Sequence, residues 1–373
     1  MSKTIYHPLV AGLVLALASA NGAELPAKLL GANSCASSSC HGGGGAKQNQ
    51  NLVWSLKDIH SQRPPATLTT ARSKQIADAL EIKDPTADAR CTTCHAPLNS
   101  VPENLRGENF KVSEGVSCES CHGPAENWLR AHTRPDWSSA DRTAAGMRDL
   151  QNLYVRANTC VACHQNVDAD ILKAGHPELI FELDGQSVAE PKHWSAEKNG
   201  NGAQAWLVGQ AVALREMSWQ LANAKSPTEN EINRWTGLVW LIHFNQDKNI
   251  GLPVLESDWS ASSENFNRIQ VWSDELSKSA ASLEWTPEIT RKLLIQLSQA
   301  TQKSFSGNDI ARRAERLVLA LDRLVAALPE LKTNAPLQAA LNQLFQLAQS
   351  IPDFDAKAFA AGLQQFSAAL AAQ

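Results

Sequence analysis

Residues 115–122 read Gly-Val-Ser-Cys-Glu-Ser-Cys-His, and their ending, two cysteines and then a histidine, occurs three more times, in Cys35-ASSS-Cys40-His41, Cys91-TT-Cys94-His95 and Cys160-VA-Cys163-His164. All eight cysteines of the 373-residue chain belong to these four motifs, and none follows Cys163. An even cysteine count in an exported chain ordinarily implies a disulfide framework. Disulfides give no reason for a histidine after the second cysteine every time. Structural zinc joins distant half-sites and does not require Cys-His adjacency. One porphyrin per motif accounts for both features: two thiols about a turn apart add to its two vinyl groups, and the adjacent histidine sits under the iron. Disulfide and zinc stand as the alternatives. The sequence therefore implies four covalently attached haem c groups, bound through Cys35, Cys40, Cys91, Cys94, Cys118, Cys121, Cys160 and Cys163, with His41, His95, His122 and His164 as proximal ligands. The first spacer has four residues, so its loop must bulge, which the neighbouring serines and glycines permit.

Setting aside His7 and the four proximal residues leaves His60, His132, His176, His193 and His243 for the sixth coordination position. Val53, Leu56 and His60 fall at helical spacing, with Leu52 and Ile59 beside them, so His60 points where apolar residues point. His132 follows Trp128 and Leu129 on a similar stripe. His176 precedes Pro177 at a turn after Ala174-Gly175, and His193 lies between Pro191 and Trp194; both read as loop ligands. His243, inside Leu238-VWLI-His243-Phe244, reads as a core histidine. Four distal candidates then match four irons. Six-coordinate iron leaves no position for substrate, which points to electron transfer.

The first 20 residues carry Lys3, an apolar run from Leu9 to Ala20 and the ending Ala18-Ser19-Ala20, the form of a cleaved secretory signal. The run is too short to span a bilayer, which takes about 20 residues, and no later stretch is long and apolar enough. An exported, periplasmic protein without a membrane span is expected. The formal net charge of -4 leaves no basic footprint for nucleic acid or an anionic membrane.

Three regions follow: a signal over residues 1–20, a tetrahaem cytochrome c domain over 21–198, and a C-terminal helical bundle over 199–373. The fold class is mainly α. Residues 31–52 hold almost no bulky apolar side chains, so porphyrins must supply the apolar mass there. The run Gly42 to Gly45 allows either a close backbone approach or a flexible turn. In the C-terminal part, Ser226-Pro227-Thr228-Glu229 reads as N-cap, first-turn proline and capping-box acid. Thr286-Pro287 and Asn308-Asp309 open two more helices, the latter stopping near Pro329, and Pro336 to Ile351 and Asp355 to Leu370 form another two. An up-and-down bundle of about six helices is the expectation. It shows no catalytic constellation, and reads equally as a docking or dimerisation module or as a scaffold covering the haems.

The stretch Gly115-VSCESCHGPAENWLRA-His132, with Asn33-SCASSSCHG, Trp54-SLKDI-His60 and Cys91-TTCH, resembles the tetrahaem cytochrome c-554 family, periplasmic carriers that accept electrons from hydroxylamine oxidoreductase in ammonia oxidisers. The resemblance covers roughly residues 31–195. It implies closely stacked haem pairs in a mostly helical chain, His41, His95, His122 and His164 as proximal ligands, and His60 and His132 as distal ones. Ala174-GHPELIFEL and Lys192-HW resemble a wider group of periplasmic multihaem cytochromes, in which His176 and His193 look like ligands. Two departures stand out. The first motif has the longer spacer, and the family's type member has one iron without a distal ligand, whereas four distal candidates are present here.

The expected function is that of a periplasmic tetrahaem carrier passing electrons between redox partner proteins, rather than an enzyme. The alternative is an oxidoreductase acting on a small nitrogen or sulfur species at one five-coordinate haem. A tyrosine-linked porphyrin is poorly supported, because Tyr154 is the only tyrosine after the signal. A third possibility is a sensor or a subunit of a larger redox complex, with the helical tail as its binding surface. Trp54, Trp128 and Trp194, near the candidate ligands, are expected against porphyrin faces.

Overall fold

The computed structural model describes residues 26–194, 202–255, 259–305, 309–349 and 354–373. The expected signal and the expected boundary at 198/199 lie outside the described residues. Within them the chain is helical, with no strand and one isolated bridge between Leu29 and Arg106. The cysteine-bearing part has short helices: α1 (Gln50–Lys57), α2 (Ile59–Thr67), α3 (Ala71–Ala79), α4 (Ala89–His95), α5 (Cys118–His122), α6 (Ser139–Ala144), α7 (Leu153–His164), α8 (Ala169–Lys173) and α9 (Leu183–Ala189). Longer ones follow: α10 (Gly202–Asn223), α11 (Glu229–Phe244), α12 (Ser263–Ser282), α13 (Pro287–Ser298), α14 (Ile310–Ala326), α15 (Pro329–Lys332), α16 (Ala335–Ala348) and α17 (Ala356–Ala371). No helix among the described residues is long and apolar enough to cross a membrane.

The capping chemistry agrees with the sequence in most places. Thr286 caps α13 with Pro287 in its first turn, and Asp355 caps α17 by accepting from Lys357 and Ala358 N–H. The start of α11 is a correction. Its cap is Thr228 rather than Ser226, with Glu231 closing the capping box. The expected end of α16 at Ile351 lies outside the described residues.

Two helices escaped the sequence reading, and they form the centre of the bundle. Every residue of α10 from Ala203 to Leu214 is buried. A helix covered on all sides shows no amphipathic stripe, so its periodicity carries no signal. Helix α12 lies along α10, and Gln204 of α10 donates to the carbonyls of Ala280 and Leu283 at 2.9 Å each, satisfying the end of α12. Trp235 of α11 donates to Ser218 Oγ at 2.8 Å. Some consecutive helices pack together, α10 with α11, α13 with α14 and α16 with α17, but α12 lies on α10 and α11 packs on α14, where a simple up-and-down order would pair α11 with α12.

The same core continues into the motif-bearing part. Leu153, Ala157 and Val161 of α7, spaced four apart, belong to the buried cluster that includes Trp206, Leu214 and Leu276, and Phe181 and Leu183 join it. Leu183 reaches α10 at Gly209, where a Cβ would stand 2.7 Å from the Leu183 Cβ. That contact seats α9 on the bundle. His243 corrects another expectation: it is exposed on α11, its ring 6.0 Å from that of Trp259, and is not a core residue.

Glu182, just before α9, accepts from Gln210 Nε2 at 2.8 Å, but its Oε2 is buried without a partner. Burial pushes its carboxyl up to about 7, against the opposing field of Arg316 and Arg323. A carboxyl that binds its proton more tightly when folded adds stability below its unfolded value of 4.5, and loses it as the pH rises through about 7. Glu182→Gln keeps the bond to Gln210 and removes the charge. We expect denaturant midpoints of the variant to lack part of the decline that the wild type shows between about pH 5 and pH 8; parallel declines would contradict the assignment.

Candidate haem-binding site

The first motif folds around its own long spacer. His41 N–H donates to Cys35 O at 3.2 Å and Gly42 N–H to Ser37 O at 2.9 Å. A Cβ at Gly42 would lie 2.0 Å from Ala36 O, so the glycine there serves the approach of the chain to its own loop. His41 O then accepts from Asn51 N–H at 2.9 Å, opening α1 directly after the motif.

His60 differs from its expected setting. Asp58, with ψ 127, ends α1 and caps α2, so His60 is the second residue of a new helix and does not continue the apolar stripe. Leu56 and Ile59 are exposed. Pro64 has no N–H to give back to the first turn, and the free carbonyl of His60 accepts from Val116 N–H at 2.9 Å. This bond ties α2 to the chain just before the third motif. Trp54 Nε1 donates to Val116 O at 3.0 Å beside it. His132 lies in consecutive turns rather than in a helix, with its N–H on Trp128 O and its ring 5.5 Å edge-on to Trp128. His176 and His193 occupy loops as expected. Arg72 holds the first by donating to Gly175 O at 2.7 Å, and the Trp194 ring packs edge-on to the second at 5.0 Å.

Six of the eight candidate ligands share one electronic arrangement. Nδ1 of His41 meets Gln50 Oε1 at 2.9 Å, His60 meets Asp58 Oδ1 at 3.0 Å, and His95 meets Pro64 O at 3.2 Å. His132, His176 and His193 meet the carbonyls of Leu129, Pro177 and Pro191 at 2.6, 2.8 and 3.4 Å. An oxygen that only accepts requires Nδ1 to carry the proton. His164 is different: its Nδ1 lies 3.3 Å from Gln186 Nε2, a donor, and it joins this arrangement only with the amide turned to present Oε1, which is otherwise unpartnered. Only His122 Nδ1 is buried without a partner. Each proton so placed leaves Nε2 as a free lone pair, the form in which imidazole binds a metal.

The rings also pair. His41 and His132 have centroids 6.1 Å apart with planes at 24°, His60 and His164 6.0 Å at 77°, and His95 and His176 6.3 Å at 69°. One metal held by two imidazole nitrogens at about 2.0 Å each, with about 1.1 Å from nitrogen to ring centre, separates the centres by about 6.2 Å. The residues therefore fit an iron between each pair. An open cavity of about 650 Å³ adjoins the first, lined by Cys40, His41, Gln48 and His132 among others, within the size range of cofactor pockets. His122 has no ring partner among the described contacts, although the fields of His193 and His41 act on it, and burial draws its imidazole down to about 4.

The cysteines meet across motifs. The Cys35 thiol lies near that of Cys118, and the Cys94 thiol near that of Cys163, each neighbour lowering the pKa of the first of the pair. Burial pushes Cys121 up to about 11 and Cys160 up to about 12. All eight are free cysteines in the described residues.

Glu119, between Cys118 and Cys121, was missed by the sequence reading. It is buried and accepts three backbone N–H groups: Leu30 at 2.8 Å, Gly31 at 2.7 Å and Ala125 at 2.7 Å. Glu114 and Glu126 add bonds to Ala32 and Lys28, so three carboxylates bind the N-terminal segment to the third motif. Asp58 was also missed, though an aspartate two residues before His60 is a helix-start signal. Gln186 and Glu190 are too distant in sequence to be read as partners of the ligands.

Free Nε2 atoms on paired imidazoles, beside repeated Cys-Cys-His motifs, define a c-type cytochrome. Residues 34–123 match the model of the family cytochrome c554 and c-prime, a match that supports a c-type cytochrome segment with covalently bound haem c. The match spans the first three motifs and His60; the fourth motif and the bundle lie beyond it. No curated protein and no solved structure matches the chain.

Removing the Glu119 carboxylate leaves three backbone donors without their acceptor. Glu119→Ala should lower the stability of the haem-loaded protein by about 3 kcal/mol, read as a lower denaturant midpoint. An unchanged midpoint would contradict a structural role for this carboxylate.

Proposed function

We propose that the chain is a periplasmic electron carrier with four haem c groups, attached through its four cysteine pairs and held by histidine on both faces. The proximal ligands are His41, His95, His122 and His164. The observation that carries the reading is the pairing of three of them with His132, His176 and His60 at 6.0–6.3 Å, with every Nδ1 in those pairs committed elsewhere. His193 is the remaining distal candidate and His122 the remaining proximal one, so they are paired by elimination. Haem iron so ligated exchanges one electron between its ferric and ferrous forms and leaves no site for substrate.

The protein's own part is to hold the imidazoles neutral and in place, so that the iron changes charge with little rearrangement. The thiol contacts between the first and third motifs, and between the second and fourth, support two close haem pairs, and hence short steps for the electron. The seat of α7 on α10 and α12 supports the bundle as a scaffold for the fourth site. The signal-like start supports export, and the donor and acceptor are redox proteins that meet an exposed haem edge.

A second reading, reduction or oxidation of a small nitrogen or sulfur species, is favoured at His122, the one proximal candidate without a facing ring. The two readings separate in the paramagnetic resonance of the oxidised protein. Near-parallel imidazole planes split the two iron orbitals that overlap with the rings, and near-perpendicular planes leave them almost degenerate. The carrier reading predicts four low-spin irons, one rhombic signal from the pair at 24° and strongly axial signals from the pairs at 77° and 69°. A high-spin signal from one iron in four, abolished in His122→Ala, would favour the second reading instead.

A further inference from the structure

The hydrogen bonds behind the imidazoles single out one pair. His41, His95, His132, His176 and His193 each give Nδ1–H to a neutral oxygen. His60 alone faces carboxylates, Asp58 Oδ1 at 3.0 Å and Glu190 Oε1 at 3.3 Å. Resting on the ligation reading above, we propose that the haem between His60 and His164 has the lowest reduction potential of the four, set by the carboxylates of Asp58 and Glu190 acting through Nδ1 of His60.

The chemistry is that of a ligand made more basic. A carboxylate drawing on Nδ1–H pushes electron density through the ring to Nε2, which stabilises ferric over ferrous iron. Asp58 is only 8% exposed, so its charge is weakly screened. Arg156 offsets part of the Glu190 charge.

Both axial ligands of this pair are reached from one helix. Gln186 and Glu190 stand four residues apart at the end of α9, on one face, with Gln186 at His164 and Glu190 at His60. The helix is seated by Leu183 on Gly209 of α10. The bundle thereby fixes the hydrogen bonding on both sides of a single iron. Asp58 and Glu190 are positioning residues; neither touches the metal.

Asp58→Asn tests the idea with little risk to the fold, because asparagine caps a helix as well as aspartate does. The measurement is a potentiometric titration of the complete four-haem protein, followed by visible and paramagnetic resonance spectra. The lowest of the four components should rise so that its oxidised-to-reduced ratio at a fixed potential changes at least tenfold, about 59 mV for one electron. The other three should hold, and Glu190→Gln should move the same component in the same direction. Four intact low-spin haems whose lowest component stays put in both variants, or a shift in another component, would overturn the inference alone. A wild-type protein with fewer than four low-spin haems would remove the ligation reading, and the inference with it.

Discussion

The rest of the structure depends on a proton being in one place. An imidazole binds iron only through an unprotonated nitrogen, and in a protein the choice between its two nitrogens is made by whatever accepts from the other. Six of the eight candidate ligands have an acceptor at Nδ1, supplied by a helix cap, a proline carbonyl, a turn carbonyl or a glutamine amide. Each acceptor sits on a local element with its own reason to be there. The site is thus written into short-range backbone chemistry, in a region too poor in apolar side chains to build a core of its own.

That poverty explains the division of labour in the molecule. Around the first three motifs, order comes from carboxylates that accept backbone N–H groups, Glu114, Glu119 and Glu126 among them, and from the covalent staples that the motifs imply. The fourth motif is different. Its helix α7 turns Leu153, Ala157 and Val161 into a large apolar core whose centre is α10, and α9 is pinned to the same helix. The family match ends at residue 123, before this part begins. The bundle is bound to the motif-bearing part by the packing of α7 and α9 on α10.

Much of this was legible in the sequence, for chemical reasons. Cysteine and histidine at fixed spacing are rare enough to single out the four motifs, and counting the remaining histidines isolated His60, His132, His176 and His193, three of which face the ring of a motif histidine. What stayed hidden had no periodic or local signature. Helix α10 is buried all round from Ala203 to Leu214 and gives no stripe there, so the centre of the bundle went unread, and with it the packing order. His60 was placed on a stripe that Asp58 in fact interrupts, although the aspartate is a cap signal. Gln186 and Glu190 approach their ligands only through tertiary packing, which spacing along the chain does not reveal. His243 sat among apolar letters yet faces outward, because a helix side three or four residues wide has room for a solvent-facing histidine.

The central claim is that four haems are joined to this chain and held between imidazoles. It is tested most directly by the intact mass of the protein exported from a host that attaches haem c, together with a haem-to-protein ratio from the same sample. The account predicts the polypeptide plus four haem additions and a ratio of four. A bare polypeptide, or a mass carrying fewer additions from a host that loads other multihaem cytochromes fully, would contradict it.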